Sequence, residues 1–144
     1  MTQVPNMRED EKLQELNGPR ARPNGQKVRA AITHRGAGVT DKLVVFVTCA
    51  NSAEANRIAR AVVEARLAAC VNILGGTVKS IYRWKGKVES ARERLLLIKT
   101  SRKRLNKLRM VVKQLHSYDV PEFIAVGIEA GSSEYLAWLE ESTK

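Results

Sequence analysis

Hydrophobic residues beyond position 40 switch between strand-like and helix-like spacing. Residues 43–48 form a continuous run of β-branched and aromatic side chains, which predicts a buried strand. Asn51 follows as a helix cap with Glu54 three residues later, in the arrangement of a capping box. Apolar residues then recur every three or four positions up to Ala69. The segment from 51 to 69 therefore predicts an amphipathic helix.

The next stretch predicts a long β-hairpin. A second strand begins over residues 70–74, is interrupted by Gly75-Gly76 and resumes over residues 78–84. Lys85-Gly86 is a plausible hairpin turn, and residues 88–100 form the returning strand.

The remaining elements complete the pattern. Residues 101–116 predict a second helix, residues 123–128 a fourth strand, and Ser132 or Ser133 caps a short final helix. The buried stripe predicted for the second helix consists of Leu105, Leu108, Val112 and Leu115. The order is β-α-β-β-α-β plus a C-terminal helix, which predicts an α+β, ferredoxin-like sandwich.

The chain of 144 residues divides into a leader and one domain. Residues 1–40 carry prolines, glycines and scattered charges, so they predict a flexible leader, and residues 41–144 form the domain. Residues 8–11 are charged where a signal peptide needs an apolar block, and no apolar run is long enough for a membrane span. Two cysteines are too few for a disulfide framework. We therefore expect a cytoplasmic protein without a membrane contact.

The predicted sheet has one face without a cover. The two main helices cover only one face, yet the first strand and the end of the third are apolar on both faces. The chain has only a short helix left to cover the other face, so the pattern predicts a homo-oligomer.

Six short segments form an ordered set of motifs: TCANS at 48–52, RLAACVNI at 66–73, SIYRWKGKVE at 80–89, Glu93 with KT at 99–100, HSYDVPE at 116–122 and YLAW at 135–138. Together these segments resemble the CutA (divalent-cation tolerance) family. Ala50 and Ser117 depart from the resemblance, because the family usually has proline at both places. The resemblance implies a tight, PII-like homotrimer with clefts between subunits, and a non-enzymatic role in the response to divalent metal ions, particularly copper.

Three residues are candidate metal ligands: Cys49, Cys70 and His116. Thiolate and imidazole groups suit copper and zinc. Cys49 lies at a predicted helix N-terminus, where we expect a lowered pKa, whereas Cys70 also fits a small buried core residue. His116 ends the second helix, where the dipole favours an imidazolium and where a simple C-terminal cap is the alternative.

A second group predicts a ligand cleft that takes a metal ion or a small ligand at the subunit boundary: Trp84, Glu93, Lys99, Tyr118 and Glu122. Tyr82 and Trp84 alternate on one hairpin face and are expected to pack against a neighbouring chain. An alternative function is a ligand-sensing or scaffolding PII-like trimer, in which Lys99 pairs with a small anion.

The net charge of +10 raises a second alternative, a basic nucleic-acid-binding module using residues 102–113. The aromatic residues read as assembly contacts rather than a base-stacking platform, which argues against nucleic acid. An enzyme ranks last, because no nucleophile, base and acid at informative spacing can be identified.

Overall fold

The computed structural model describes residues 40–144 and the backbone of residues 32–34. The predicted flexible leader therefore lies outside the described residues, apart from Thr40 and one short strand, β1 (Ile32–His34). The sequence pattern did not predict β1, which pairs antiparallel with a late strand, β7 (Ala130–Ser132).

The described elements follow the predicted order. A 3-10 turn (Arg102–Arg104) precedes the second helix. The remaining elements are β2 (Lys42–Cys49), α1 (Ser52–Glu64), β3 (Cys70–Ile73), β4 (Val78–Trp84), β5 (Lys87–Ser101), α2 (Leu105–Leu115), β6 (Ile124–Gly127) and α3 (Ser133–Ser142). Within the described part of the chain, no helix is both long and apolar enough to cross a membrane.

The main sheet is antiparallel with the order β3-β5-β2-β6. This order confirms the ferredoxin-like α+β fold. The first part of β5 extends beyond the sheet and pairs with β4 as a long hairpin. Lys85 and Gly86 have φ angles of 47° and 79°, as the predicted two-residue turn requires.

The core lies between the sheet and the two long helices. Val45 and Val47 of β2 are fully buried and directly oppose Ile98 and Leu96 of β5. Their helical partners in the core are Ile58, Val62, Leu108 and Val112. Burial of each such side chain contributes on the order of 1.5–3 kcal/mol, so this one face accounts for most of the subunit's hydrophobic stabilisation.

Helix α1 ends earlier than its apolar periodicity predicts. Arg66 adopts a φ angle of 57°, in the left-handed region. The Arg66 N–H donates to the Val63 carbonyl, and the Leu67 N–H donates to the Val62 carbonyl. These are the two hydrogen bonds of a Schellman motif, here with arginine in the place that glycine usually takes. The motif turns Leu67 and Ala68 into the core.

The other face of the sheet is apolar and largely open. Val44 and Phe46 of β2 directly oppose Val126 and Ile124 of β6, so the four side chains share this face. Ile124 and Val126 are 53% and 49% exposed. Helix α3 covers only one end, where its Glu140 pairs with the buried Lys42 ammonium.

Candidate metal centre and adjoining groove

Three potential metal ligands from distant parts of the chain meet beside the end of β2. They are Cys49, the last residue of β2, Glu54 in the first turn of α1, and His116, which caps the end of α2. One ligand atom of each lies within 4.8 Å of the others, and all three residues are buried. The structure therefore brings Cys49 and His116 together as candidate ligands and adds Glu54.

Glu54 is held as a buried carboxylate by backbone donors. Its Oε2 accepts the Ala50 N–H at 2.9 Å, and its Oε1 accepts the Ser117 N–H at 2.5 Å. Burial alone raises the pKa of Glu54, but the hydrogen bonds from the Ala50 and Ser117 N–H groups outweigh burial and hold that pKa below its usual value. The carboxylate thus ties the start of α1 to the loop that follows α2.

The His116 ring is fully buried, and both of its nitrogens have partners. Nε2 lies 2.7 Å from the Thr48 carbonyl oxygen, and Nδ1 accepts the Tyr118 N–H at 3.0 Å. A carbonyl requires a donor and an N–H requires an acceptor, so the hydrogen bonds assign the neutral tautomer with the proton on Nε2. The prediction of a His116 imidazolium stabilised by the helix dipole is therefore wrong for this arrangement. The alternative prediction, that His116 caps the C-terminus of α2, is confirmed.

The lowered pKa expected for Cys49 is also wrong. Burial raises the pKa of the Cys49 thiol to about 12, and the negative charges of Glu54 and Glu93 act in the same direction. The cause is strand alternation. Cys49 points with Val45 and Val47 into the core, where it is 0% exposed, so its thiol does not reach the solvent at the helix N-terminus.

Cys70 lies away from this cluster. On β5, the residue opposite Cys49 is Arg94, whereas the residue opposite Cys70 is Lys99. Positions 94 and 99 differ by an odd number, so the two cysteines lie on opposite faces of the sheet. Within one subunit, Cys70 cannot complete a site with Cys49 and His116.

A groove of about 860 Å³ opens beside the cluster, between the β4–β5 hairpin and the loop at residues 117–122. Four of the five predicted cleft residues line it: Trp84, Glu93, Tyr118 and Glu122. Lys99 does not. It lies in the middle of the sheet, between Val44 of β2 and Cys70 of β3.

The groove has a concentrated negative charge. Burial and a hydrogen bond to Glu93 raise the pKa of Tyr118 to about 12. Burial and the negative charge of Glu93 raise the pKa of Glu122 above its usual value. Glu93 itself is only 6% exposed. These shifts indicate carboxylates that lie close together without enough compensating positive charge.

His116 connects the cluster to the groove. Its Nδ1 accepts the Tyr118 backbone N–H. The Tyr118 side chain hydrogen-bonds Glu93 and also contacts the His116 ring, at a centroid distance of 4.9 Å with the two rings tilted by 52°. Any change at His116 therefore affects one wall of the groove.

The sequence analysis missed Glu54 as a site residue. Its capping-box position was recognised, and the structure confirms that the Glu54 N–H donates to the Asn51 side chain. The available signal was that capping box, which predicts a carboxylate turned towards the end of the preceding strand.

The fold and the site together define a class: a ferredoxin-like α+β subunit with an extended β-hairpin, a buried thiol–carboxylate–imidazole cluster and an acidic groove. The family model described as "CutA1 divalent ion tolerance protein" matches residues 43–142. The chain therefore belongs to the CutA1 family, as the motifs predicted.

Individual relatives agree with this assignment. The chain is 51% identical over 100 residues to the divalent-cation tolerance protein CutA of Thermus thermophilus, covering 69% of this chain and 96% of that protein. It is 47% identical over 102 residues to the chloroplastic protein CutA of Arabidopsis thaliana, covering 71% of this chain but only 56% of that longer protein. The solved Thermus thermophilus CutA1 structure superposes with a TM-score of 0.70 at 50% identity, covering 72% of this chain and 99% of that one.

Proposed function

We propose that this protein acts in divalent-cation tolerance as a homotrimer that binds copper or a related divalent metal ion at Cys49, Glu54 and His116. The observation that carries the metal site is the meeting of these three donors within 4.8 Å in a buried position. A thiolate and an imidazole with one carboxylate suit copper and zinc better than calcium or magnesium. The names of the relatives support the general role.

The donors fit such an ion by type and distance, but two of them must first give up a proton or a hydrogen-bond partner before they can bind it. Cys49 must lose its proton, and His116 must exchange one backbone partner, either the Thr48 carbonyl or the Tyr118 N–H. Metal binding is therefore linked to pH and to the position of the 117–122 loop. That link suits a protein that responds to metal ions.

The open apolar face supports the trimer. An exposed face containing Phe46, Ile124 and Val126 is larger than scattered surface hydrophobics and is typical of a subunit interface. The protruding hairpin, with Ile81 68% and Val88 65% exposed, offers further apolar surface to a neighbouring copy. A cytoplasmic location remains part of the proposal.

A binding role is preferred to catalysis for a specific reason. Cys49 is the thiol nearest to an imidazole, but burial keeps it protonated and His116 has no unoccupied ring nitrogen to accept its proton. The cluster therefore lacks an activated nucleophile.

The test is a calorimetric titration with zinc, a redox-inert probe, at pH 7.5, with the oligomer mass recorded by light scattering. The proposal predicts saturable binding near one ion per subunit, release of about one proton because Cys49 starts protonated, and a trimeric mass. Cys49→Ser should weaken binding at least about tenfold, since the serine hydroxyl does not ionise.

Cys70→Ser is the matched control, because it makes the same chemical change on the other face of the sheet. Equal isotherms for Cys49→Ser and the parent protein would remove the cluster as the metal site. A monomeric mass would remove the trimer.

A further inference from the structure

The outward side of α2 is basic over its whole length. The 3-10 turn and α2 run without a break from Arg102 to Leu115, a length of about 20 Å. Leu108 and Val112 point into the core, so the exposed side chains of this stretch are turned away from the sheet. These eight residues form the basic face, in which five are basic and none is acidic: Arg102, Lys103, Asn106, Lys107, Arg109, Met110, Lys113 and Gln114.

Neighbouring carboxylates do not balance the charge of the basic face. The sequence has no aspartate or glutamate between Glu93 and Asp119. Among the described residues, Lys103 is the one member of the basic face in an ion pair, with Glu140. Arg57 of α1 adds an exposed cation at the far end, where its guanidinium donates to the Leu115 carbonyl at 3.1 Å. This side of the subunit therefore presents a positive potential to the solvent.

The placement of these charges opposes the stability of the helix itself. Arg102, Lys103 and Arg104 precede α2, where the helix dipole favours acidic residues, and the first turn contains none. Arg109 and Lys113 are four residues apart on one side of the helix, where like charges repel each other. Local preferences that a sequence breaks are expected at functional sites. An anion with several charges spaced along the helix would compensate for both effects.

The other side chains of the basic face indicate which polyanion fits. A membrane-surface helix must insert an apolar side, but the apolar side of α2 is already in the core. Met110 is the single apolar residue of the basic face, so an acidic protein would lack the apolar centre of a protein interface. None of the eight residues is aromatic, so the bases of a single strand have no ring to stack on. A duplex backbone needs neither feature, because charge alone holds it.

The basic face stays accessible in the proposed trimer. The two long helices cover one face of the sheet, whereas the proposed interface is the opposite face, with Phe46, Ile124 and Val126. The basic face therefore lies on the outside of each subunit. Neither the hairpin nor the acidic groove contributes a residue to it.

We propose that the basic face binds the phosphate backbone of a double-stranded nucleic acid without reading its bases. The charge comes from the four cations of this face that form no ion pair among the described residues: Arg102, Lys107, Arg109 and Lys113. Aromatic residues engaged in assembly argue against base stacking, but phosphate contacts need only positive charge. This is a second binding activity, on a surface that the metal centre does not use.

The test is fluorescence anisotropy of a dye-labelled duplex of about 12 base pairs, titrated with the full-length protein from about 50 to about 200 mM salt. Each neutralised phosphate contributes about −0.9 to the slope of log K against log salt, so four contacts predict a slope of about −3.6. Affinity should then fall about a hundredfold over this range. DNA and RNA duplexes form separate arms; binding of either supports the inference, and the tighter one identifies the source.

Two double variants with the same loss of charge locate the contact. Lys107→Gln with Lys113→Gln should halve the slope and weaken binding at least about tenfold at low salt. Their thermal stability should not fall, because glutamine is a comparable helix former and the repulsion between Arg109 and position 113 is removed. Lys85→Gln with Lys87→Gln is the matched control at the hairpin tip, which the 15 residues of β5 separate from Arg102 by about 50 Å. It should leave the slope unchanged.

Equal losses in the two double variants would overturn the inference, because the net charge of +10 alone would then attract the duplex. Tighter binding of a single strand, equally strong competition by polyglutamate, binding of phosphatidylserine vesicles in place of the duplex, or no binding at low salt would also overturn it.

The outcome is separable from that of the proposed function. Cys49→Ser should lose zinc binding while its affinity for the duplex stays the same. A monomeric subunit still carries one basic face, so a failure of the trimer proposal leaves this test intact.

Discussion

Replacement of Glu54 by glutamine is the most informative single change, because it alters charge with almost no change in shape. The parent carboxylate accepts two backbone N–H groups, from Ala50 at 2.9 Å and from Ser117 at 2.5 Å. Glutamine offers one oxygen and one NH₂ group. One of the two backbone donors must therefore face another donor in a site that is 3% exposed.

The cost follows from these contacts. Hydrogen bonds to a charged acceptor contribute about 1.5–3 kcal/mol each, and an unsatisfied buried donor costs about 1–3 kcal/mol. Since one neutral hydrogen bond survives, Glu54→Gln should lower the free energy of unfolding by at least about 3 kcal/mol. With a urea m-value of about 2 kcal/mol/M, the unfolding midpoint should fall by at least about 1.5 M.

The assay is urea unfolding followed by circular dichroism, at one fixed protomer concentration because an assembly's stability depends on it. Glu64→Gln, at an exposed position at the end of the same helix, is the control and should change stability by less than about 0.5 kcal/mol. If the two variants unfold alike at neutral pH, Glu54 does not hold the loop as described.

The pH dependence gives a second check with a defined sign. The pKa of Glu54 is lowered by folding, so its contribution is complete above the unfolded value of roughly 4.3 and is lost as pH falls through the folded pKa. The parent protein should therefore lose its advantage over Glu54→Gln in acid. An advantage of the same size at neutral pH and in strong acid would contradict the assignment of an ionised carboxylate.

Three further changes test assembly and core. Trp84→Ala truncates a large exposed aromatic of the hairpin and should weaken the trimer; an unchanged mass in dilute solution by light scattering would show that Trp84 is not a subunit contact. Val126→Asp places a charge on the open face, where Val126 is 49% exposed in the single subunit. The subunit should tolerate this charge, but a buried interface should not, so ultracentrifugation should find monomers. A trimer would mean that this face is not buried in the assembly. Leu108 is 0% exposed, so Leu108→Ala should lower the free energy of unfolding by about 2–5 kcal/mol in thermal or urea unfolding. Met110, on the same helix, is 63% exposed, so Met110→Ala should lower it little. Equal losses of stability in the two variants would place Leu108 outside the core.

The elements of the fold followed from local patterns because each is encoded over a short stretch. The Lys85-Gly86 turn and the Asn51 cap were both correct, since each depends on neighbouring residues alone. The end of α1 was not predicted, because Arg66 adopts a conformation that glycine normally marks and the apolar spacing continues to Ala69. Strand β1 was missed because three residues paired through the backbone leave no periodic pattern.

The site was less accessible to sequence reasoning, since its contacts are long-range. The Glu54–Ser117 hydrogen bond joins positions 63 residues apart. The shift in the pKa of Cys49 was predicted in the wrong direction. Proximity to a helix N-terminus is visible in the sequence, and it suggested a lowered pKa. Burial of the thiol, which raises the pKa, depends on which face of β2 packs against the helices. The separation of Cys70 from Cys49 likewise needed the register of β5.

The central claim is that one thiol, one carboxylate and one imidazole form a divalent-metal site. X-ray absorption at the zinc edge of the zinc-loaded, full-length protein tests it most directly. The account predicts one sulfur at about 2.3 Å, from Cys49, with nitrogen and oxygen ligands at about 2.0–2.2 Å, and loss of the sulfur shell in Cys49→Ser but not in Cys70→Ser. A shell of oxygen and nitrogen alone in the parent protein would contradict it.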